Sequence, residues 1–592
     1  MQTLFLMVGC GVGFIIAYNT YGRFLARKIF RLDPNAPVPS RELNDGLDYV
    51  PTRKGIIFGH HFTSIAGTGP IVGPAIGIIW GWVPAILWVF LGSIFMGAVH
   101  DFGTLIVSMR NDGKSISEIA ARYINPRVRF IFFVIVFLAL LLVIAVFGVV
   151  IAIVFARFPS SIVPVWFQIP IAIGLGYVVY KRNGNVFVST AVSVAGMYAF
   201  IAIGAYLEKT HPGITTITRI GPVPATGAWT VILLIYAWIA STLPVTTLLQ
   251  PRDYINAWQL FIMMALLVAG AALSALSGKL EMAAPAVNTA GGDIPSMWPL
   301  MFVTIACGAI SGFHSLVASG TSTKQVSNER DSLFVGYGSM LLEGFLAVLI
   351  ITCVGAGIGM AYKTASGETL FGTLAWQEHY ASFSGAAGMG AKLNAVVIGA
   401  ANMMGSIGIP EAVGITLMGV FVASFAGTTL DTSVRIQRYV ISELAADLRI
   451  PLLSNKWAAT TFAVVTAAAL AFITGADGKG AMKLWPLFGA ANQLLAALAL
   501  LVVTIYLKRK GGAKFVFAAV PCLIMLTITC WAMIENEKSF FQKQDRLLVI
   551  IGSGVFLLAA WMTIETLIVF FKTAKAATPK ASGETSPPEE VH

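Results

Sequence analysis

Apolar residues run along this chain in blocks of about twenty, separated by short links rich in Gly, Pro and basic residues. The blocks show neither the period-two alternation of half-buried strands nor the narrow stripe of a surface helix. At about 1.5 Å of rise per residue, a run of roughly 20 apolar residues crosses a hydrocarbon layer about 30 Å thick. Runs of that kind fall at 3–22, 56–78, 82–109, 128–156, 164–180, 185–206, 228–249, 256–278, 298–319, 335–362, 412–430, 457–475, 485–507, 514–534 and 547–572. They predict an all-α, polytopic helical membrane protein. The uninterrupted stretches 130–155 and 494–506 exclude a transmembrane barrel, whose strands alternate. The segment 393–408 is apolar but short and Gly-bounded, and predicts a re-entrant or membrane-surface piece, so the expected count is 15 to 16 helices.

Composition removes the competing classes. With 57% apolar and 11% charged residues, the chain is not a soluble globular enzyme. The formal charge of +11 sits in clusters between the apolar runs, which makes it a topology signal rather than a nucleic-acid surface. Placing the N-terminus outside puts 28 of the 39 Lys and Arg in cytoplasmic segments, and leaves eleven, Arg157 and Lys392 among them, in external loops. The 573–592 tail, polar and Pro-bearing, then reads as a disordered cytoplasmic end. The five cysteines share no CxxC spacing and read as small buried hydrophobes. The first run lacks a basic leader and a small-residue cleavage site, so it is expected to be retained as a helix.

Two runs carry interruptions that a lipid-facing helix does not tolerate. The second contains Ala66-Gly67-Thr68-Gly69-Pro70, and the seventh contains Ile239-Ala240-Ser241-Thr242-Leu243-Pro244-Val245, which parallels Ile65 to Ile71 position by position. The two lie five runs apart and head in opposite directions. Such a pair, at corresponding positions of inverted halves, points to a substrate site in secondary transporters. Both breaks are expected near the membrane midplane, with Pro70 and Pro244 each starting a new half-helix. Free N–H groups and the positive dipole end of the half-helix from Pro70 favour an anion such as a carboxylate. The expected substrate-binding residues are therefore Ala66, Gly67, Thr68, Gly69, Ser241 and Thr242.

Four of the seven histidines, His60, His61, His100 and His314, fall within proposed spans, and Asp101 follows His100 directly. Ionisable groups at such depth face a cavity, a partner or a proton path. Three readings stand: a structural hydrogen-bonded network, a proton-coupling or gating relay, or a metal or haem site. Adjacent His60 and His61 point about 100° apart on a helix, unlike a metal-binding His-x-x-x-His pair. Ser311 and Ser315, four apart beside His314, could join carbonyls released at Ala66 to Thr68 around a coupling cation, or bond back to their own helix. Glu343 and Asp431 are reserve candidates, placed near cytoplasmic helix ends, where solvated anchoring is the expected role.

The order of several long motifs resembles the carbon starvation protein A (CstA) transporters. They are Leu43-Asn44-Asp45-Gly46-Leu47-Asp48-Tyr49-Val50-Pro51-Thr52 leading into Phe58-Gly59-His60-His61-Phe62, then His100-Asp101-Phe102, Gln250-Pro251-Arg252-Asp253-Tyr254 and Ser311-Gly312-Phe313-His314-Ser315. Ala426-Gly427-Thr428-Thr429-Leu430-Asp431-Thr432 and Trp485-Pro486-Leu487-Phe488-Gly489-Ala490-Ala491-Asn492-Gln493 follow. The resemblance implies a bacterial inner-membrane secondary transporter that takes up pyruvate or peptides with protons, with no enzymatic activity. The expected architecture is a LeuT-like inverted five-helix repeat over 56–206 and 228–430, after one helix with a basic loop (1–55) and before four helices (457–572). The expected coupling residues are His60, His61, His100, Asp101, Ser311, His314 and Ser315, with no cofactor unless the histidines hold a metal or haem. The rival class is a membrane metallo- or haem redox protein.

Overall fold

The computed structural model describes residues 1–289, 293–364 and 366–576, so the 577–592 part of the expected disordered tail lies outside the described residues. The protein is all-α. Its main helices are α1 (Gln2–Ala17), α2 (Lys54–Ile65), α3 (Gly69–Gly77), α4 (Trp82–Gly92), α5 (Ala98–Met109), α6 (Pro126–Arg157), α7 (Ile162–Gly176), α8 (Val186–Thr210), α9 (Ala225–Thr242) and α10 (Leu249–Leu276). They continue as α11 (Met297–Thr304), α12 (Gly312–Gly320), α13 (Ser339–Gly355), α14 (Met389–Gly405), α15 (Glu411–Asp447), α16 (Lys456–Phe472), α17 (Trp485–Arg509), α18 (Val516–Gln542) and α19 (Arg546–Ala576). Among the described residues the sheet content is two short antiparallel ladders, with Arg219 opposite Pro224 and Tyr362 opposite Leu370.

Twelve helices are long and apolar enough to cross a membrane alone, or thirteen when α2 and α3, bent by 44° at their break, count as one. The larger expected count rests on pieces below that length: α16, with 17 residues, and the interrupted pair α11 and α12. Ion pairs identify one end of the bundle. There Lys54 meets Asp331 at 3.6 Å, Arg110 pairs with Glu329, and Asp48 meets Arg435 at 2.7 Å and Arg438 at 3.3 Å. The opposite end carries Trp80, Arg157 and Asp293. α14 lies across this second end: Gly390, in its first turn, packs against the Arg157 side chain, Asn402 donates to the carbonyls of Gly357 and Ala361, and Ser406 bonds Ser274 beyond its last turn.

The break expected inside the seventh span is placed differently. α9 stops at Thr242, and 243–248 is the turn into α10 at the Lys54 end. Leu243, forced into an extended conformation by the proline after it, has φ −73° and ψ 154°. Val245 N–H donates to the Leu47 carbonyl at 3.1 Å, which ties the turn to the loop before α2. Pro244 therefore ends a helix rather than starting a half-helix inside the bilayer.

The bundle core is held by charge as well as by apolar packing. Arg252 on α10 is bound by Asp431 on α15, and Tyr236 on α9 donates to the same carboxylate at 2.9 Å. Both Arg252 and Asp431 are buried. Neither lies at a solvated helix end, which corrects the anchoring role expected for Asp431. Removing one partner of a buried pair leaves an uncompensated charge, at about 3–5 kcal/mol, whereas an apolar pair of similar volume can be neutral. Asp431→Asn is therefore expected to lower the thermal unfolding temperature of the purified protein sharply, and Arg252→Met with Asp431→Leu to recover most of the loss.

Candidate substrate and coupling site

Two discontinuous helices run in opposite directions and meet at their breaks. The first is α2, unwound at Ala66-Gly67-Thr68, then α3 with Pro70 in its first turn, where a missing N–H is harmless. The second is α11, unwound over 305–311, then α12. Glycine allows the contact: a Cβ on Gly69 would lie 2.4 Å from Cβ of Cys307, and one on Gly67 would lie 2.3 Å from Thr429 Oγ1 and 2.9 Å from the Phe147 ring. The Cys307 thiol points to the Ile65 carbonyl, freed at the end of α2, at 3.6 Å.

Backbone groups released by the unwinding are taken up by side chains from α4, the helical segment Ser93–Gly97 that continues it, α15 and α17. Trp88 Nε1 donates to the Ile305 carbonyl at 3.0 Å, Ser93 Oγ to the Gly308 carbonyl at 2.9 Å, and Phe313 N–H to Asn492 Oδ1 at 2.9 Å. On α15, Thr428 Oγ1 donates to the Thr63 carbonyl at 3.1 Å and Thr429 Oγ1 to the Ser64 carbonyl at 3.3 Å. Each bond removes an unsatisfied polar group from the interior.

The two breaks form the floor of a cavity of about 1180 Å³ that opens toward the Arg157 end. Gly67, Gly69, Cys307, Ser311, Thr429 and Asn492 line its deep part, and Arg157, Lys479, Lys483 and Lys543 its mouth. Beneath the floor the titratable side chains are fully buried. His314 Nδ1 lies 2.9 Å from Asp101, and its Nε2 lies 3.3 Å from Glu343 Oε2 and 3.4 Å from the Cys307 sulfur. His100 Nδ1 holds the other Asp101 oxygen at 2.7 Å. One imidazole thus stands between two carboxylates, and Glu343, far from any solvated helix end, corrects its expected role.

A second buried network lies toward the Lys54 end. His60 Nδ1 is 2.6 Å from Asp253, which is 3.4 Å from Arg252, and His60 Nε2 is 3.3 Å from the Thr321 hydroxyl. His61 bonds Ser322 at 2.7 Å. Hydrogen bonds thus join His100 and His314 through Asp101 and tie His60 to Asp253, while among the described residues His61 bonds Ser322 alone.

Of the expected substrate residues, Gly67 and Gly69 line the cavity, while Ala66 is buried and Thr68 caps α3 with its carbonyl, which accepts from Ile71 and Val72. Ser241 and Thr242 are not part of it. Their hydroxyls donate to the Trp238 and Ile239 carbonyls of their own helix, and the Ser241 carbonyl accepts from Arg438. Ser311 exchanges hydrogen bonds with Asn492, and Ser315 Oγ bonds the Gly312 carbonyl, so this pair does not face the carbonyls of α2. The hydroxyls that do are Thr428 and Thr429. Cys307 and Asn492 are the residues that sequence reasoning missed as site members, and Glu343, held there only in reserve, joins them. Cys307, His314 and Glu343 bring a thiol, an imidazole nitrogen and a carboxylate oxygen within 4.8 Å of one another, the one grouping among the described residues that could hold a transition-metal ion. The other histidines turn to separate partners.

The geometry predicts a labelling pattern. With Cys10, Cys353, Cys522 and Cys530 replaced by serine, a membrane-impermeant methanethiosulfonate is expected to modify Cys307 through the cavity, as read by mass spectrometry. Gly69→Leu, which fills the space beside the thiol, is expected to suppress the modification. Unchanged labelling in that variant would contradict contact between the two breaks.

The family model described as carbon starvation protein CstA matches residues 2–532. The peptide transporter CstA of Campylobacter jejuni is 32% identical over 582 residues, covering 90% of this chain and 80% of the relative. The pyruvate/proton symporter BtsT of Escherichia coli is 31% identical over 601 residues, covering 90% and 81%. The peptide transporter CstA of Bacillus subtilis is 30% identical, covering 95% and 94%. Among solved structures, MhsT in complex with L-phenylalanine aligns with 88% of this chain and 98% of its own at 14% identity and a TM-score of 0.47.

Proposed function

The chain belongs to the carbon starvation protein CstA family, and from that premise we propose that it imports a small carboxylate-bearing solute, pyruvate or a short peptide, driven by a proton held beneath the cavity floor. That it is a multi-pass membrane transporter and not an enzyme follows from the family and its named relatives, which sets aside the redox alternative. The observation that carries the finer reading is the contact between the floor and the His314 network. A solute resting on Gly67, Gly69 and the 305–311 segment touches Cys307, and Cys307 touches His314.

The substrate's charge follows from the cavity mouth. Lys483, Lys543, Arg157 and Lys392 line it, and no acidic partner within ion-pair distance is found for any of them among the described residues. Three carboxylates, Asp293, Glu535 and Asp545, line the cavity against five basic side chains; Asp293 is engaged by the N–H groups of Phe383 and Ser384 and the Ser384 hydroxyl, and Glu535 pairs with Lys538 at 2.9 Å, which leaves the lining net basic. Such a vestibule concentrates anions. With the N-terminus outside, this mouth faces the exterior of a bacterial inner membrane. The Lys54 end is then cytoplasmic, and it is closed by the strap 45–52. Val50 and Thr52 N–H donate to the carbonyls of Lys324 and Gln325, and Asp48 is clamped by Arg435 and Arg438.

Coupling rests on charge balance. Asp101 and Glu343 flank a single imidazole, so the buried group stays neutral overall only when a second proton accompanies the one on His314. That second proton can be carried across if the network is exposed alternately to the two sides. Ser311, Ser315, His60 and His61 then support the path structurally rather than as ion ligands.

Uptake of labelled pyruvate and of a dipeptide into proteoliposomes, with and without a proton gradient, tests the reading. Glu343→Gln, His314→Gln and Asp101→Asn are expected to abolish accumulation against a gradient while retaining solute exchange, which needs no net proton movement. Gly67→Leu is expected to abolish both while still inserting. Stable Glu343→Gln protein with full accumulation would refute the coupling assignment.

A further inference from the structure

We propose that Lys392, Arg157 and the first turn of α14 form an anion-receiving site in the wall of the cavity, where the carboxylate of an incoming solute docks before it reaches the floor. The inference rests on the carboxylate reading above and adds a second position, built by a helix that lies across the entrance rather than by either break.

α14 is 17 residues long and starts beside the cavity, with Gly388, Met389, Gly390 and Lys392 on its lining. Lys392 N–H is the first to find a carbonyl in its own helix, that of Gly388 at 3.1 Å. The N–H groups of Met389, Gly390 and Ala391 precede it and have no intrahelical acceptor. They give this end of the helix its positive partial charge.

Two cations are added where that dipole end already repels them. The Arg157 guanidinium lies against Gly390 so closely that a Cβ there would sit 2.7 Å from its Nε and 2.9 Å from its Nη2. Lys392 is 4% exposed, yet it forms no ion pair among the described residues, and its ammonium lies 5.2 Å from the centre of the Trp485 ring. Burial without a counter-ion pushes this amine down to about 8. Asp293 also lines the cavity but is spent capping the short helix Phe383–Ala386. Among the described residues no anion pairs with this buried ammonium, the exposed Arg157 guanidinium or the helix N–H groups, and the like charges are mutually unfavourable. A carboxylate relieves all three at once: its two oxygens can accept from the guanidinium and the N–H groups while Lys392 supplies the remaining charge. The Trp485 face beside the ammonium offers an apolar seat for the rest of a small solute.

The prediction separates ligand binding from structural support. Lys392→Met removes an uncompensated buried charge, so it is expected to keep or raise the thermal unfolding temperature while raising KM for pyruvate or for a dipeptide by about tenfold or more. Lys392→Arg is expected to restore most of the affinity. A dipeptide C-terminal amide, lacking the carboxylate, should show no difference between native and Lys392→Met protein. A native KM in Lys392→Met would overturn the proposal, as would joint loss of stability and transport in both substitutions. A direct probe needs no transport: modification of Lys392 by trinitrobenzenesulfonate, read by mass spectrometry, should be slowed by millimolar pyruvate, and equal rates would overturn the site. Native protein that moves neither solute would sink the substrate reading alone, leaving the protection experiment to decide the anion site.

Discussion

Unwinding a helix inside a membrane protein releases backbone groups that neither lipid nor bulk water can satisfy, and the architecture is arranged around that constraint. The released groups of α2, of the 305–311 segment and of the start of α12 are met by Thr428, Thr429, Trp88, Ser93 and Asn492, which come from α15, α4, the helical segment Ser93–Gly97 that continues α4, and α17. Those bonds fix which helices surround the two breaks. They also require the unwound backbone to pack directly against those helices' side chains, hence Gly67 and Gly69 where any side chain would collide with Thr429 or Cys307. Because the α17 asparagine caps α12, a helix beyond the expected ten-helix repeat is built into the floor rather than added to its outside.

Charge burial imposes the second level of order. Arg252 with Asp431, His60 with Asp253, and His314 between Asp101 and Glu343 each join helices distant in sequence. A buried pair is weak evidence for stability, since its desolvation offsets most of its Coulomb energy, but its geometry is specific. The Arg252 pair locks α10 to α15, and the clamp of Asp48 by Arg435 and Arg438 on the same α15 holds the strap 45–52 across the closed end. The strap is also tied to the Lys324 and Gln325 carbonyls and to Val245 N–H, so opening that end requires breaking bonds to several elements together.

Much of this was legible from residue patterns, and the failures have physical reasons. Span positions follow from length alone, so the runs from 82–109 to 547–572 fall on observed helices, apart from 298–319, which is unwound over 305–311. The first break announces itself through Gly67, Gly69 and Pro70. The second carries no proline: 305–311 is Ile-Ala-Cys-Gly-Ala-Ile-Ser, apolar and small, and hydropathy cannot tell an unwound apolar strand from a helix. The likeness of 239–245 to 65–71 misled because the same proline that can begin a half-helix also ends a helix at a bundle end. Which one occurs depends on the loop partner, here the Leu47 carbonyl, some two hundred residues away in sequence. Glu343 reads as an anchor because its place in the run puts it near a cytoplasmic helix end; only the crossing of α12 and α13 puts it against His314. Lys392 was read as a loop cation, since nothing in its neighbours along the chain says that α14 folds over a cavity.

Coupling demands that bound solute change the free energy of a buried proton, and the change must pass through a contact. The structure supplies a short one. Cys307 stands with its sulfur 3.6 Å from the carbonyl that ends α2 and 3.4 Å from His314 Nε2, so one side chain touches both breaks and the titratable network. The segment that carries it is unwound, held by Trp88 and Ser93 through two carbonyls, and so can shift without disturbing a helix core. A carboxylate settling on the floor brings negative charge toward an imidazole already placed between two carboxylates, where the interior screens little. On the proposed reading, that added charge is most cheaply balanced by the second proton, which makes loaded and protonated the favoured combination and either one alone the unfavoured one.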